Sequence, residues 1–254
     1  MSKIDVTEHK IYSDKITIDA NLTIVQLSDL HPNPGDNNSK LIKLIEDASP
    51  DIVVATGDML NIYDEKIDIT LNFLKEISKK HPVYYVYGNH EIYNKYFRVN
   101  EIEQKLLEVG VKVLNNSGIS ISKNIHMCGI SYQKSNICKF SDRSKEFLET
   151  LSEKEYNILL AHNPDCFEVY SNYNTDLTLS GHIHGGEIRI FGKGLLSPRR
   201  TLFPKYSAGV YNAEKSDKKM IVSRGLGDYT FKLRINNNPE IVVIKLIGRN
   251  TKTF

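Results

Sequence analysis

Leu179-Ser180-Gly181-His182-Ile183-His184-Gly185-Gly186 sets two histidines between glycines at the end of a short apolar run. Read as extended chain, positions i and i+2 put both imidazoles on one side of the backbone. The flanking glycines lack the Cβ atoms that would keep the backbone from closing around a small ligand. Two histidines so placed can reach one metal ion, or one each of two adjacent ions. A His-x-His pair in a polar turn is common, and by itself it decides little. Four stretches upstream change its weight, because each carries Asp, His or Asn directly after an apolar run. Leu22 to Leu27 ends in Ser28-Asp29-Leu30-His31, and Ile52 to Ala55 ends in Thr56-Gly57-Asp58. Val83 to Val86 ends in Tyr87-Gly88-Asn89-His90-Glu91, and Asn157 to Ala161 ends in His162-Asn163-Pro164.

Between these runs the apolar period changes from two to about 3.6, which predicts helices. Ser39 to Asp47 places Leu41, Ile42, Leu44 and Ile45 on one face, with Ser39 as the expected cap. A second helix carries Ile67, Leu71, Leu74 and Ile77, and a third covers Lys95 to Val109 with Gly110 as its stop. Strand and helix in alternation predict a largely parallel sheet. Ahead of it, Ile4, Val6, Ile16 and Ile18 alternate with polar residues around a Ser13-Asp14 turn and predict two more strands. Short strands between Val111 and Ser131 predict a second sheet or its edge, and Phe140 to Leu151 predicts a helix. The remainder reads mostly as strand, over 187–191, 206–212, 219–223 and 240–247. With no repeat, low-complexity tract or linker, residues 1–254 are expected to form one α/β domain.

Five of the eight histidines fall at the strand-to-loop junctions, together with Asp29, Asp58 and Asn89. Ligand sites of open α/β sheets form where strands hand over to loops at their carboxyl ends. Carboxylates, imidazoles and one amide oxygen, with no thiolate, suit manganese, iron or zinc rather than a structural zinc cage. Asp29, His31, Asp58, Asn89, His162, His182 and His184 are too many ligands for one ion. A carboxylate between two groups of ligands can bridge two ions about 3.5–4 Å apart. Asp58, midway in the series, is the expected bridge.

The blocks Asp29-Leu30-His31, Gly57-Asp58, Gly88-Asn89-His90-Glu91, Ala161-His162 and Gly181-His182-Ile183-His184 resemble, in order and rough spacing, those of the calcineurin-like metallophosphoesterases. The resemblance runs from about residue 20 onward. Val222-Ser223-Arg224-Gly225-Leu226-Gly227 and Pro239-Glu240-Ile241 look like the closing strands of its small bacterial single-domain branch, which includes UDP-diacylglucosamine pyrophosphatase-like and cell-envelope phosphoesterases. The resemblance implies a four-layer α-β-β-α sandwich of two mixed sheets. It implies one metal site of Asp29, His31, Asp58 and His184, and a second of Asp58, Asn89, His162 and His182. The implied reaction is hydrolysis of a phosphodiester or pyrophosphate bond by in-line attack of a metal-bridging hydroxide. His90, matching a histidine that is not a ligand in the family, is implied to protonate the leaving oxygen or stabilise the transition state. Some members carry an aspartate three residues after the bridging one, as that histidine's partner. This chain has Asn61 there, which leaves Glu91 and Asp64 as the carboxylates to consider. A phosphomonoesterase using the same site and a non-catalytic metal-binding scaffold are the alternatives, and the full set of ligands argues against the scaffold.

Composition bounds the rest. At 40% hydrophobic, 25% charged and net +2, the 254 residues describe a globular chain with no basic excess for nucleic acid. No apolar run reaches the roughly 18 residues of a membrane span, and the first residues lack a signal-peptide core. Three cysteines without a Cys-x-x-Cys predict unpaired thiols and a cytoplasmic location. Arg224, between a strand and two glycines, is a candidate for binding a substrate phosphate, or else an ion-paired residue. From Ile188 to Ala213 there is no acid, while Arg189, Lys193, Arg199, Arg200 and Lys205 are basic and Leu195, Leu196, Leu202 and Phe203 lie among them. That segment is either an ordinary loop with its apolar residues inward, or a rim for an anionic membrane surface, where each basic residue contributes about 1 kcal/mol. The expected partner is a phosphorylated small molecule or a lipid-linked phosphate.

Overall fold

Ile52, Val53, Val54 and Ala55 are all buried, so the strand they form is covered on both faces, as a central parallel strand must be. The computed structural model describes residues 3–32, 38–132, 138, 140–197, 201–227 and 234–249. In chain order the first half runs β1 (Asp5–Ser13), β2 (Leu22–Leu27), α1 (Ser39–Asp47), β3 (Ile52–Ala55), α2 (Asp68–Ser78), β4 (Val83–Tyr85), α3 (Asn89–Ile92), α4 (Val99–Glu108) and β5 (Val111–Val113). The second half runs β6 (Ser117–Ser122), β7 (Ile125–Gly129), α5 (Asp142–Glu149), β8 (Tyr156–Leu160), α6 (Phe167–Tyr170), β9 (Leu177–Ser180), a small hairpin of β10 (Arg189–Ile190) and β11 (Lys193–Gly194), β12 (Gly209–Asn212), β13 (Lys219–Val222) and β14 (Glu240–Gly248).

Two six-stranded mixed sheets result, ordered β1-β14-β2-β3-β4-β5 and β12-β13-β9-β8-β7-β6. β2 to β5 pair in parallel, as do β7, β8, β9 and β13; the first sheet has one antiparallel pair, β14 with β2, beside a parallel β1–β14 edge, and the second has an antiparallel pair at each edge. The two-residue period of a strand decides which neighbour each side chain meets. Ile24, Ile52, Val54 and Tyr84 face Met127, Ile158, Leu160, Leu179 and Ile221 in the core between the sheets. Their alternates Val25, Leu27, Val53, Ala55 and Tyr85 face Leu41, Ile45, Phe73, Leu74, Ile102 and Leu106 of the helices. On the far side of the second sheet, Cys128, Leu159 and Ala161 pack on Phe140, Leu148 and Tyr170. The order of layers is helix, sheet, sheet, helix, as expected.

Several local expectations are corrected. Ile16 and Ile18 do not make a strand: Ile16 is buried in the inter-sheet core, and Ile18–Ala20 is a 3-10 turn. Ser39 is the first helical residue and not the cap, which is Asn38. The helix expected from Lys95 begins at Val99, because the Asn94 side chain accepts from the backbone N–H of Tyr96 and Phe97 and holds that stretch as a turn. The strands expected over 187–191 and 206–212 shrink to β10 and β12. Among the described residues, no helix is long and apolar enough to cross a membrane.

The cysteine expectation is overturned. Cys138 and Cys166 form a disulfide, and only Cys128, buried in the second sheet, stays a thiol. Two cysteines 28 residues apart in sequence give no local pairing signal, and an odd total hid the pair. The bond ties the chain just before α5 to the turn after β8 and removes the premise for placing the protein in a reducing compartment. Thiol titration of the unfolded protein should give one thiol per chain without reductant and three with it. Closing a loop of this length predicts a loss of about 3.6 kcal/mol of stability on reduction. Three thiols without reductant would contradict the pairing.

Candidate metal centre

Five strands deliver the polar residues, and their carboxyl ends meet. β2, β3 and β4 are parallel neighbours in one sheet, β8 and β9 in the other, so Asp29, Asp58, Asn89, His162 and His182 all emerge at one end of the sandwich. The Gln26 side chain ties the two sheets there, donating to Ser180 O (2.8 Å) and Thr56 Oγ1 (3.0 Å). Leaving a strand this abruptly requires unusual backbone. Asp29 (φ 51°), His31 (40°), Asp58 (53°), His182 (73°) and His184 (50°) are all left-handed. Such conformations in non-glycine residues cost on the order of 1–3 kcal/mol each and persist only where the surroundings over-determine them. The expected extended His-x-His geometry is corrected by this: Ile183 is helical (φ −94°, ψ −5°) between two left-handed histidines. The two imidazoles consequently join different groups.

Those groups are three sets of buried side chains whose potential ligand atoms lie within 4.8 Å of one another: Asp29, His31 and His184; Asp58, His162 and His182; and His31, Asp58 and His90. Asp58 Oδ2 lies 3.1 Å from His162 Nε2, 3.9 Å from His90 Nε2 and 4.0 Å from His31 Nε2. Asp29 Oδ1 lies 3.5 Å from His184 Nε2 and 3.9 Å from His162 Nε2. Asn89 supplies a further test of fit. Its Oδ1 is buried with no hydrogen-bond donor, an arrangement that a cation ligand explains and a packed core does not. His162 Nδ1 is within hydrogen-bond distance (2.7 Å) of Thr56 O, which as donor it would use to turn Nε2 toward the cluster. The donor set and the orphaned amide oxygen fit divalent cations.

Charges set the electrostatics. Burial pushes the Asp29 carboxyl up to about 6, against the pull of His162. Burial also opposes ionisation of Asp58, but His162, His90 and His31 together outweigh it and hold Asp58 well below the usual carboxylate range. Burial opposes the charge on His162 in turn, but Asp58, Asp29 and the Thr56 carbonyl together raise it to about 9. Burial lowers His31 to about 3 and His184 well below its ordinary value, so both stay neutral and keep lone pairs.

Backbone donors aim the carboxylates. His182 N–H donates to both oxygens of Asp29 (3.1 and 3.0 Å), and His90 N–H donates to Asp58 Oδ1 (2.8 Å). A Cβ on Gly88 would sit 2.2 Å from Asp58 Oδ1, and one on Gly181 would sit 2.4 Å from Asp29 Oδ2, so both must be glycine.

Glu91, weighed from sequence only as a partner for His90, does something else. Its carboxylate accepts from the backbone N–H of Asp58 (2.9 Å), Met59 (2.8 Å), Leu60 (3.2 Å) and Gly88 (2.8 Å), and from Tyr85 Oη–H (2.7 Å). Burial and the charge of Asp58 push its pKa up, yet both oxygens act only as acceptors, the pattern of an ionised group. Asp64 is equally committed, accepting from Asn61 N–H (2.8 Å) and Asn61 Nδ2–H (3.2 Å). Neither carboxylate serves His90, whose Nδ1 is buried without a hydrogen bond. Tyr132, which carried no sequence signal, packs its ring on His162 and His182 at 5.9 and 5.5 Å. The Arg224 guanidinium binds Glu240 (2.7 Å) and Asp5 (3.3 Å) at the sheet edge, so it takes the ion-paired reading rather than the phosphate-binding one.

Residues 22–186 match the family model of the calcineurin-like phosphoesterases. The chain belongs to that family. A metallophosphoesterase of Aquifex aeolicus (strain VF5) is 28% identical over 250 residues, covering 96% of this chain and 92% of its own length. The metallophosphoesterase YkuE of Bacillus subtilis (strain 168) is 27% identical over 256 residues, 97% of this chain and 87% of its own. Against a Helicobacter pylori (strain ATCC 700392 / 26695) relative, 28% identical, this chain spans 66% of the relative's length. A solved structure from Thermus thermophilus has the same fold, with a TM-score of 0.53 at 14% identity over 82% of this chain and 92% of that one. The protein is thus a metal-dependent phosphoesterase, and its clustered Asp and His side chains suggest a binuclear site. Replacing Glu91 by Gln should lower unfolding stability by at least about 2 kcal/mol, since the acceptor loses its charge and the amide NH2 is set against at least two of the five donors. A denaturant melt checks this, and wild-type stability would contradict it.

Proposed function

We propose that this phosphoesterase hydrolyses a phosphodiester or pyrophosphate bond, with Asp29, His31, Asp58 and His184 holding one divalent cation and Asp58, Asn89, His162 and His182 the other. The supporting observation is the place of Asp58, the one carboxylate whose potential ligand atom falls within 4.8 Å both of His31 and His90 and of His162 and His182 among the described residues. A carboxylate set between two such groups is what two adjacent cations need, since it offsets their repulsion. The oxygen and nitrogen donors suit manganese, iron or zinc. When bound, the two cations supply Lewis acidity, activating a water and offsetting charge on the phosphoryl oxygens.

The chain's own residues do the rest. Glu91 and the His90 N–H hold Asp58 in place, while the His182 N–H holds Asp29. His90, whose Nε2 lies 3.9 Å from Asp58 Oδ2, would donate a proton to the leaving oxygen. The preference for diesters and pyrophosphates over monoesters rests on the likeness of the closing segments to the small bacterial branch. A rate screen with added manganese, across aryl phosphates, aryl phosphodiesters, cyclic nucleotides and lipid-linked nucleotide diphosphates, tests it. Monoesters turning over fastest would reverse that preference.

Two substitutions separate ligand from catalyst. Asp58→Asn should lower bound metal and reduce the rate by about two orders of magnitude or more. His90→Ala should lower kcat by roughly 10²–10⁴ with metal content intact, and least for a good leaving group such as nitrophenolate. Metal loss in His90→Ala would make His90 a ligand, in keeping with its place beside His31 and Asp58.

A further inference from the structure

β10 and β11 pair Ile190 with Lys193, leaving Phe191 and Gly192 as a two-residue loop. Both have positive φ, 49° and 77°, the pattern that Asn-Gly usually fills in such hairpins. A bulky aromatic residue at positive φ is a steric outlier. Phe191 has its whole side chain in solvent, 100% exposed, so it contributes neither packing nor turn preference to the fold. Phe203 repeats the anomaly at φ 49° and 67% exposed, next to Leu202 at 65%. Ile190 is also exposed.

These residues share one small layer. Leu195 N–H donates to Ile188 O (2.7 Å), Phe203 N–H donates to Leu195 O (2.8 Å), and Leu196 bridges Leu202. The layer is built on the turn that carries His184. Leu196 N–H donates to Gly186 O (3.3 Å), Arg189 Nη1–H to Gly185 O (2.8 Å) and Asn237 Nδ2–H to His184 O (2.7 Å). Scattered exposed apolar residues need no explanation, but a cluster on one platform does.

We propose that Ile190, Phe191, Leu202 and Phe203 form a rim that inserts into the surface of an anionic lipid bilayer and brings the metal centre to a lipid-linked phosphate. Protruding, solvent-exposed aromatic side chains suit a soft interface, which needs no shaped groove to receive them. The charge pattern selects the sign. No acid occurs from Ile188 to Ala213, and Lys193 is exposed at the hairpin itself. The structure shifts the weight from charge to apolar insertion, because Arg189 is committed to Gly185 O and Gly192 O, and Lys205 to Glu214. Arg199 and Arg200 lie outside the described residues. Apolar residues beside basic ones are the signature of a protein that lies on a membrane without crossing it.

The nature of the substrate rests on the phosphoesterase reading, whereas vesicle binding needs no turnover, so the two can fail separately. The test is sedimentation of the metal-loaded protein with phosphatidylglycerol–phosphatidylcholine vesicles and with pure phosphatidylcholine, at low and moderate salt. Wild type should partition onto the anionic vesicles, and Phe191→Ser/Phe203→Ser should bind at least tenfold more weakly with an unchanged melting temperature and metal content. Wild type remaining in the supernatant, or the double variant binding equally well, would overturn the proposal. A wild-type dimer that the double variant converts to monomer, with no vesicle binding, would assign the rim to a second copy of this chain instead.

Discussion

Two carboxylates buried side by side repel each other, and a fold that holds them there needs positive charge between and around them. Asp29 and Asp58 are both withdrawn from water; the charge of Asp58 makes Asp29 harder to ionise, and His162 pulls the other way on both. No lysine or arginine takes part in their ion pairs among the described residues; only imidazoles do. Bound metal offsets this repulsion, and the chain belongs to a metal-dependent phosphoesterase family. The rest of the molecule can be understood as scaffolding for that cluster.

The scaffolding works by over-determination. Each left-handed ligand is disfavoured on its own, and the two carboxylates among them are fixed from a second direction. Asp58 is held by Glu91 through its own N–H and by His90 through its carboxylate, and the loop around it is held again at Met59, Leu60 and Gly88. Asp29 in the first sheet is held by His182 N–H from the second, so the site forms only when the sheets are packed. The inter-sheet core of Ile24, Val54, Leu160 and Leu179 is therefore part of the metal site's stability, although none of these residues supplies a ligand.

The sequence carried the layers and the ligands because both depend on short-range pattern. Period-two and period-3.6 apolar runs mark strands and helices, and each ligand follows its strand directly. What escaped depends on contacts across the fold. Ile16 looked like a strand residue because alternation cannot tell a strand from a plug beneath the sheet. The partners of Cys138 and of Glu91 lie across turns whose shape only tertiary packing sets. Glu101 accepts from the Arg98 N–H and so caps α4 at a start four residues later than the sequence predicts. Arg224 could be an anion binder or an ion pair by sequence, and only the return of β14 beside β1, bringing Glu240 and Asp5 together, decides it.

The most direct measurement is anomalous diffraction from crystals grown with manganese. The account predicts two peaks about 3.5–4 Å apart, one on either side of the Asp58 carboxylate, with Asn89 Oδ1 and His162 at one and Asp29 and His184 at the other. A single peak, or a pair that leaves Asp58 to one side, would contradict it.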